Sequence, residues 1–221
     1  MIPTSQDHSD IHIVHEDERF VVVDKPAGLL SVPGRGPDKA DCVASRVLDL
    51  FPAASGPMIV HRLDMDTSGL IVLGLDRGAQ RHLSVEFQRR RVEKHYIALV
   101  EGTVDEDAGQ IDLPLRVDWP NRPHQIVCFD SGKPAVTNFR VLTREPDRTR
   151  LRLEPITGRT HQLRVHMADQ RGLGRPILGD TLYAEGPARD DHPRLMLHAA
   201  RLCFRPPGAR KIMDFTSTPP F

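Results

Sequence analysis

No run of apolar residues in this 221-residue chain approaches the ~18 needed to cross a bilayer, so no transmembrane helix is expected. The first ten residues, MIPTSQDHSD, lack both the basic start and the apolar stretch of a secretory signal. Cysteine is scarce. Cys42, Cys128 and Cys203 are odd in number, far apart and in no CxxC pair, so nothing indicates a zinc site or a disulfide framework. They read as the reduced thiols of a cytoplasmic protein. Net charge is missing as well: 30 Lys plus Arg balance 30 Asp plus Glu, which argues against indiscriminate coating of nucleic acid. The glycine-rich and catalytic signatures GxGxxG, GxxxxGK, HExxH and GxSxG do not occur. His161 and His166 lie five apart rather than four, so they do not form a helical metal pair, and His12 and His15 fall on a strand or at its end. The residues give no reason to invoke a metal or a cofactor.

What is present suits a folded protein. Apolar residues make up 39% and charged residues 27% of the chain. Residues 1–10 are polar and expected to be frayed, and no linker, repeat or low-complexity tract divides residues 11–221, which read as a single domain. Two short strands are expected around the polar turn at residues 15–19. Asp41 is expected to cap a helix carrying Val43, Val47, Leu48 and Phe51. Residues 58–75 read as strand, polar loop, strand, and a helix beginning at Asp76 presents Ala79, Leu83 and Phe87 on one face. The segments VEKHYIALVEG, TNFRVL and TRLRLEPI alternate as strands, with an irregular stretch containing DWPNRP between the first and the second. A helix follows over THQLRVHMADQ, then the loop GLGRPILGD and a last buried element, RLMLHAARLCF. Strands outnumber helices and are joined by short turns. This predicts an α+β fold on a mostly antiparallel mixed sheet flanked by helices.

The zero net charge hides local asymmetry. From Arg140 to Arg175 nine arginines face only Glu145, Asp147, Glu154 and Asp169, and Arg89, Arg90, Arg91 and Lys94 form a second basic cluster. Acids concentrate instead in residues 7–18 and 101–112. From charge alone, phosphate-contacting patches and ordinary solvated faces stand equally.

The densest polar segment between apolar runs is HRLDMDTSG, residues 61–69. Loops on a rigid sheet are where catalytic groups are usually placed, yet Asp64 and Asp66 read as readily as turn-capping acids. The wider pattern separates the two readings. HRLDMDTSGL resembles the signature of the RluA family of pseudouridine synthases. DKPAGLLSVPG is similar to the family's N-terminal motif, KHYIALVEG to its tyrosine-bearing strand, and PITGRTHQLRVHM to its arginine motif, followed by PILGDTLYA and RLMLHAARL. The motifs occur in family order from about residue 11 to the C-terminus. Within the family the likeness is to short members without an S4-type RNA-binding domain, which act on both a 23S rRNA loop and the tRNA anticodon loop. Met65 departs from the basic residue many relatives carry after the HRLD tetrad.

The resemblance implies the pseudouridine synthase catalytic fold, no cofactor or metal, and RNA as substrate. It implies Asp64 as the essential carboxylate, Tyr96 as the active-site tyrosine and Arg164 as the arginine that orients the carboxylate. In the family's reaction the C1′–N1 bond of uridine breaks, the uracil rotates, and the base rejoins through C5. Arg62 is expected to support RNA whose target base has been flipped out, the alternative being a structural arginine paired with an acid. Thr67, Ser68 and Gly69 are expected to shape the loop, with His61 and Thr67 also candidates to meet RNA. Leu197 or Leu195 is a candidate to line the uracil pocket, with core packing as the alternative. Arg159, His161, Arg89, Arg90 and Arg91 are candidates to contact RNA, the arginines through phosphates. No obligate protein partner and no membrane are expected, and the absence of heptads suggests a monomer. The competing classes are a tRNA-only or rRNA-only synthase, an RNA-binding module without chemistry, and a glycosidase, for which no paired carboxylates are supported.

Overall fold

The runs FVVVDK and SGLIVLG contain almost no polar interruption, as expected of strands covered on both faces, and they become the buried strands β2 (Phe20–Lys25) and β3 (Ser68–Gly74). The computed structural model describes residues 11–36 and 39–221; the frayed terminus expected at residues 1–10 lies outside the described residues. The chain divides into two compact units, Met1–Val92 with Cys203–Ser217, and Glu93–Leu202 with Thr218–Phe221.

In the first unit β1 (His12–Glu16), which holds His12 and His15, pairs antiparallel with β2. β2 in turn pairs antiparallel with β3, in a register running from Phe20 opposite Gly74 to Lys25 opposite Gly69. Helix α1 (Val43–Leu50) is capped by Cys42, not by Asp41 as the sequence predicts. The reason is a reciprocal pair: the Ser45 N–H donates to Cys42 Sγ (3.4 Å), and the Cys42 N–H donates to Ser45 Oγ (3.0 Å). Asp41 stands one residue early and takes the Arg46 guanidinium instead, at 2.8 and 2.7 Å. Helix α2 (Arg77–Gln88) starts where expected, with the Asp76 carboxylate accepting the Ala79 N–H (2.8 Å). Ala79 and Leu83 are buried and Phe87 is half-buried.

The strand expected over residues 58–60 is reduced to one bridge, Ile59 to Leu73. Side chains stand in for the ladder there: the Gln80 amide donates to the Ile59 carbonyl (3.1 Å), and the Val72 N–H donates to His61 Nε2 (3.1 Å).

The second unit orders β4 (Glu93–Glu101), β9 (Arg148–Pro155), β8 (Val136–Arg144) and β5 (Ala108–Asp112) side by side, with antiparallel β4–β9, β9–β8 and β8–β5 ladders. The stretch expected to be irregular holds β5 and a small hairpin, β6 (Leu115–Val117) and β7 (Gln125–Val127). Three-residue strands are too short for alternation to register. Helix α3 (Gln162–Ala168) is buried along its length, so its polar side chains need internal partners. Gln162 bonds Thr157 Oγ1 (2.7 Å) and the Val136 carbonyl (3.0 Å). His166 faces Thr137 Oγ1 (3.0 Å) and the Leu113 carbonyl (3.1 Å), and burial holds its pKa below the ordinary imidazole value. After the short helix α4 (Gly186–Asp190), β10 (Leu197–Phe204) lies beside β4 and carries the chain back to the first unit. There β11 (Met213–Thr216) places Phe215 5.6 Å from Phe204. The architecture is α+β on a mostly antiparallel sheet, as the sequence predicts.

Candidate functional site

In the first unit, His61, Arg62, Asp64 and Thr67 share one loop leading into β3. The segment 25–31 grips that loop on both sides of Asp64. Ser31, buried, donates from Oγ to the Leu63 carbonyl (2.8 Å) and accepts the Leu63 N–H (3.1 Å). On the far side Lys25, fully buried, donates from Nζ to the Met65 carbonyl (2.8 Å) as well as to the Pro26 and Leu29 carbonyls (2.9 and 2.7 Å). The Gly28 N–H adds a second bond to the Met65 carbonyl at 2.9 Å, from a φ of +82° that glycine adopts without strain. The turn closes when the Thr67 N–H donates to the Asp64 carbonyl (3.2 Å). Leu63 and Met65 are thereby fixed through their backbones, and the half-buried Asp64 side chain projects from between them. Bonds of this kind are worth about 0.5–1.5 kcal/mol each when neutral and about 1.5–3 kcal/mol when one partner is charged.

His61 anchors the start of the loop. Its Nε2 accepts the Val72 N–H, and its ring stacks on Phe87 at 4.3 Å with 19° between planes. Arg62 is exposed and makes no ion pair among the described residues, so the structure does not give it the paired-arginine role weighed above. Thr67 is only 2% exposed. Its N–H closes the turn on the Asp64 carbonyl while its side chain lies buried. Arg89, Arg90 and Arg91 follow α2 on the surface, Arg90 with a φ of +55°, but Arg91 is partly neutralised by Glu86 (3.2 Å).

The second unit holds the other candidates. Tyr96 sits on β4 opposite Leu153 and packs against the unit's hydrophobic core. Lys94, two residues earlier and so on the same strand face, is half-buried, and burial lowers its pKa. Arg164 on α3 is 3% exposed and meets Asp180, fully buried, through both arms of its guanidinium: Nε to Oδ2 at 2.7 Å and a terminal nitrogen to Oδ1 at 2.6 Å. Asp180 Oδ1 also accepts the Leu182 and Tyr183 N–H groups (2.9 and 3.1 Å).

Tyr183 gathers several neighbours. Its ring lies 5.2 Å from the Arg164 guanidinium carbon, its hydroxyl is 2.8 Å from His161 Nδ1, and that hydroxyl accepts the Gln125 N–H at 2.8 Å. His161 precedes α3 with a φ of +52°. Arg159 is exposed and donates to the Pro134 carbonyl (3.1 Å). Leu197, 2% exposed, belongs to the hydrophobic core of this unit.

The basic stretch from Arg140 to Arg175 is largely neutralised where it stands. Arg144 pairs with Asp107 (2.7 Å), Arg148 with Glu145 (2.6 Å), Arg152 with Glu154 (2.9 Å), Arg164 with Asp180, and Arg171 with Asp169 (2.8 Å). Asp107 and Asp180 lie outside the counted stretch, which is why counting local acids overstated its charge. Among the described residues no group of three or more His, Cys, Asp or Glu side chains is arranged to hold a metal ion, and no helix is long and apolar enough to cross a membrane.

The family model for RNA pseudouridylate synthase matches residues 19–169, a span that includes the gripped loop, Tyr96 and Arg164. The chain belongs to this family. Its enzymes are isomerases that act on RNA. The chain is 49% identical over 212 residues to the dual-specificity RNA pseudouridine synthase RluA of Pasteurella multocida (strain Pm70), covering 96% of this chain and 94% of that one. It is 47% identical over 210 residues to the protein of the same name from Escherichia coli (strain K12), covering 95% and 93%. Among solved structures it is similar to human RNA pseudouridylate synthase domain containing 1, with a TM-score of 0.80 and 30% identity over 100% of this chain and 87% of that one.

Four residues of this RNA pseudouridylate synthase escaped the sequence reading: Lys25, Ser31, Asp180 and Tyr183. Each lay inside a quoted motif, so the signal was motif membership. Their partners were not readable. Ser31 is 32 residues from Leu63, and Asp180 is 16 from Arg164.

Proposed function

We propose that this enzyme converts uridine to pseudouridine in two RNAs, the anticodon stem-loop of tRNA and a stem-loop of 23S rRNA. Support comes from identity of about half the residues to relatives named for dual specificity, matched over nearly their whole length. A tRNA-only or rRNA-only synthase is the narrower form of the same reading.

In the proposed reaction Asp64 is the carboxylate on which turnover depends. A group that must meet one atom of a flipped nucleotide benefits from a fixed approach, since misplacement by about 1 Å costs about a hundredfold in rate. The observation that carries the assignment is the grip on Leu63 and Met65, which fixes the backbone on both sides of Asp64. The C1′–N1 bond breaks, the freed uracil turns, C5 bonds to C1′, and the proton lost from C5 is balanced by one gained at N1. Tyr96 offers an aromatic face to hold the uracil while it is unattached, and its hydroxyl is proposed to assist removal of the C5 proton. Arg164, set by Asp180, is the proposed charged partner in orienting the reacting groups. Extruding the target base costs a few kcal/mol, least for a base already unpaired, and Arg62 is proposed to support the opened RNA. Residues 11–221 act as one catalytic domain in this reading, as a cytoplasmic monomer without cofactor or obligate partner.

The test uses the purified chain, a tRNA transcript and a 23S rRNA fragment, with pseudouridine mapped by chemical adducts and reverse-transcription stops. Stops in both RNAs that vanish with Asp64→Asn, while RNA affinity stays within about threefold, are expected. Turnover by Asp64→Asn at a comparable rate overturns the assignment. Stops in one RNA only overturn dual specificity and keep the reaction.

A further inference from the structure

The chain has one tryptophan, and it sits where burial gains nothing: Trp119 is 63% exposed in the 118–124 loop that joins β6 to β7. Among the described residues, the group stacked on it is charged. The Arg122 guanidinium carbon lies 3.5 Å from the indole centroid, over one face of the ring. Arg122 is itself exposed, as is Arg116 on β6, and neither makes an ion pair among the described residues. This is the reverse of the arginines from 140 to 175, most of which are neutralised by carboxylates.

The loop is held in shape. The Asp118 N–H donates to the His124 carbonyl (2.9 Å), the Asn121 amide to Asp118 Oδ2 (2.9 Å), and the His124 ring nitrogens face the Asn121 and Leu182 carbonyls (2.7 and 3.1 Å). The Gln125 N–H reaches the Tyr183 hydroxyl, and Tyr183 borders Arg164. An exposed indole stacked by an unpaired guanidinium, on a loop braced to the neighbours of Arg164, has the chemistry that takes an unstacked nucleobase. Aromatic and guanidinium planes supply the stacking, and the positive charge meets the phosphate beside the base.

We propose that Trp119 and Arg122 form an RNA-binding platform on which a loop base of the substrate, other than the uridine being isomerised, stacks. The proposal rests on RNA being the substrate, as above. A second stacked base gives the enzyme a hold on loop shape that a flipped uridine alone does not provide.

Because Trp119 is the sole tryptophan, its fluorescence reports on this site alone. The full chain is titrated with an anticodon stem-loop RNA and with a 23S rRNA stem-loop. RNA anisotropy and pseudouridine formation are followed in parallel. Quenching of Trp119 with the same midpoint as the anisotropy change is expected, and an abasic nucleotide at one loop position should remove it. Trp119→Ala should weaken RNA binding about 5- to 100-fold, and Trp119→Phe by about threefold or less. Pseudouridine formed without quenching, together with unchanged affinity of Trp119→Ala, overturns the platform alone. No pseudouridine in either RNA with the wild-type chain overturns the substrate reading and the platform with it.

Discussion

Asp180→Asn is nearly isosteric and removes one negative charge from a position that is fully buried, opposite a guanidinium that is 3% exposed. Two charge-assisted bonds of 2.7 and 2.6 Å are affected. The amide cannot repair them, because its nitrogen is a donor facing a donor, and its single oxygen must also serve the Leu182 and Tyr183 N–H groups. Removing one member of a buried ion pair costs about 3–5 kcal/mol, since the remaining charge stays desolvated. At roughly 2–4 °C per kcal/mol for a chain of this size, the melting temperature should fall by about 6–20 °C. The measurement is calorimetric unfolding of wild type, Asp180→Asn, Arg164→Met and the double variant Arg164→Met/Asp180→Leu. The double variant should recover most of the lost stability, because two apolar groups leave no buried charge unpaired, yet it should remain inactive on RNA. A melting temperature for Asp180→Asn within about 2 °C of wild type refutes the reasoning, as it would mean the guanidinium is hydrated or re-paired.

Other outcomes follow from the same geometry. Ser31→Ala leaves the Leu63 N–H and carbonyl without their buried partner, a cost of about 1–3 kcal/mol; kcat should drop about tenfold with KM within about twofold, and a raised KM at unchanged kcat would argue against a positioning role. Asp76→Ala should lose about 1 kcal/mol from the α2 cap at pH 7 by urea unfolding. Hydrogen bonding from Arg19 holds the Asp76 carboxyl well below the usual carboxylate range, so its contribution is present above about pH 4. The gap between variant and wild type should shrink as pH falls below that value, and a gap that widens in acid counts against the pairing. Cys128, pulled to a pKa of about 7 chiefly by the Ser131 hydroxyl, should be alkylated by iodoacetamide at pH 7 ahead of the buried Cys42 and Cys203; Ser131→Ala should slow that reaction.

Long elements with unbroken patterning were readable from sequence. Strand β9 alternates half-buried and buried residues from Arg148 to Glu154, whereas β4 buries Ala98, Leu99 and Val100 in succession; the Asp76 cap precedes a clean apolar stripe, so periodicity and capping chemistry agree there. Where a side chain replaces a backbone partner, the pattern misleads. His61 intercepting the Val72 N–H left a single bridge where the apolar run at residues 58–60 suggested a strand. Cys42 capped α1 although Asp41 beside it is the stronger capper by type, because only residue 42 has the reciprocal Ser45. Charge was the least readable quantity: Asp107 neutralises Arg144 from 37 residues away. At the candidate site the residue types were visible in the motifs. What grips them was not, since Lys25, Ser31 and Asp180 act on groups 40, 32 and 16 residues distant.

The division of the chain has a consequence for its synthesis. The first unit is interrupted after Val92 and resumes at Cys203, and the second takes its last residues from Thr218–Phe221. Neither unit can be completed on the ribosome until residues 203–221 have been translated. The usual sequence, in which an N-terminal part folds while the rest is still being made, is therefore closed to this enzyme. The buried strands β2 and β3 must wait, with Phe20 lacking its edge contact to Phe204 at 5.7 Å. A stalled nascent chain of about 200 residues would present that apolar surface to chaperones.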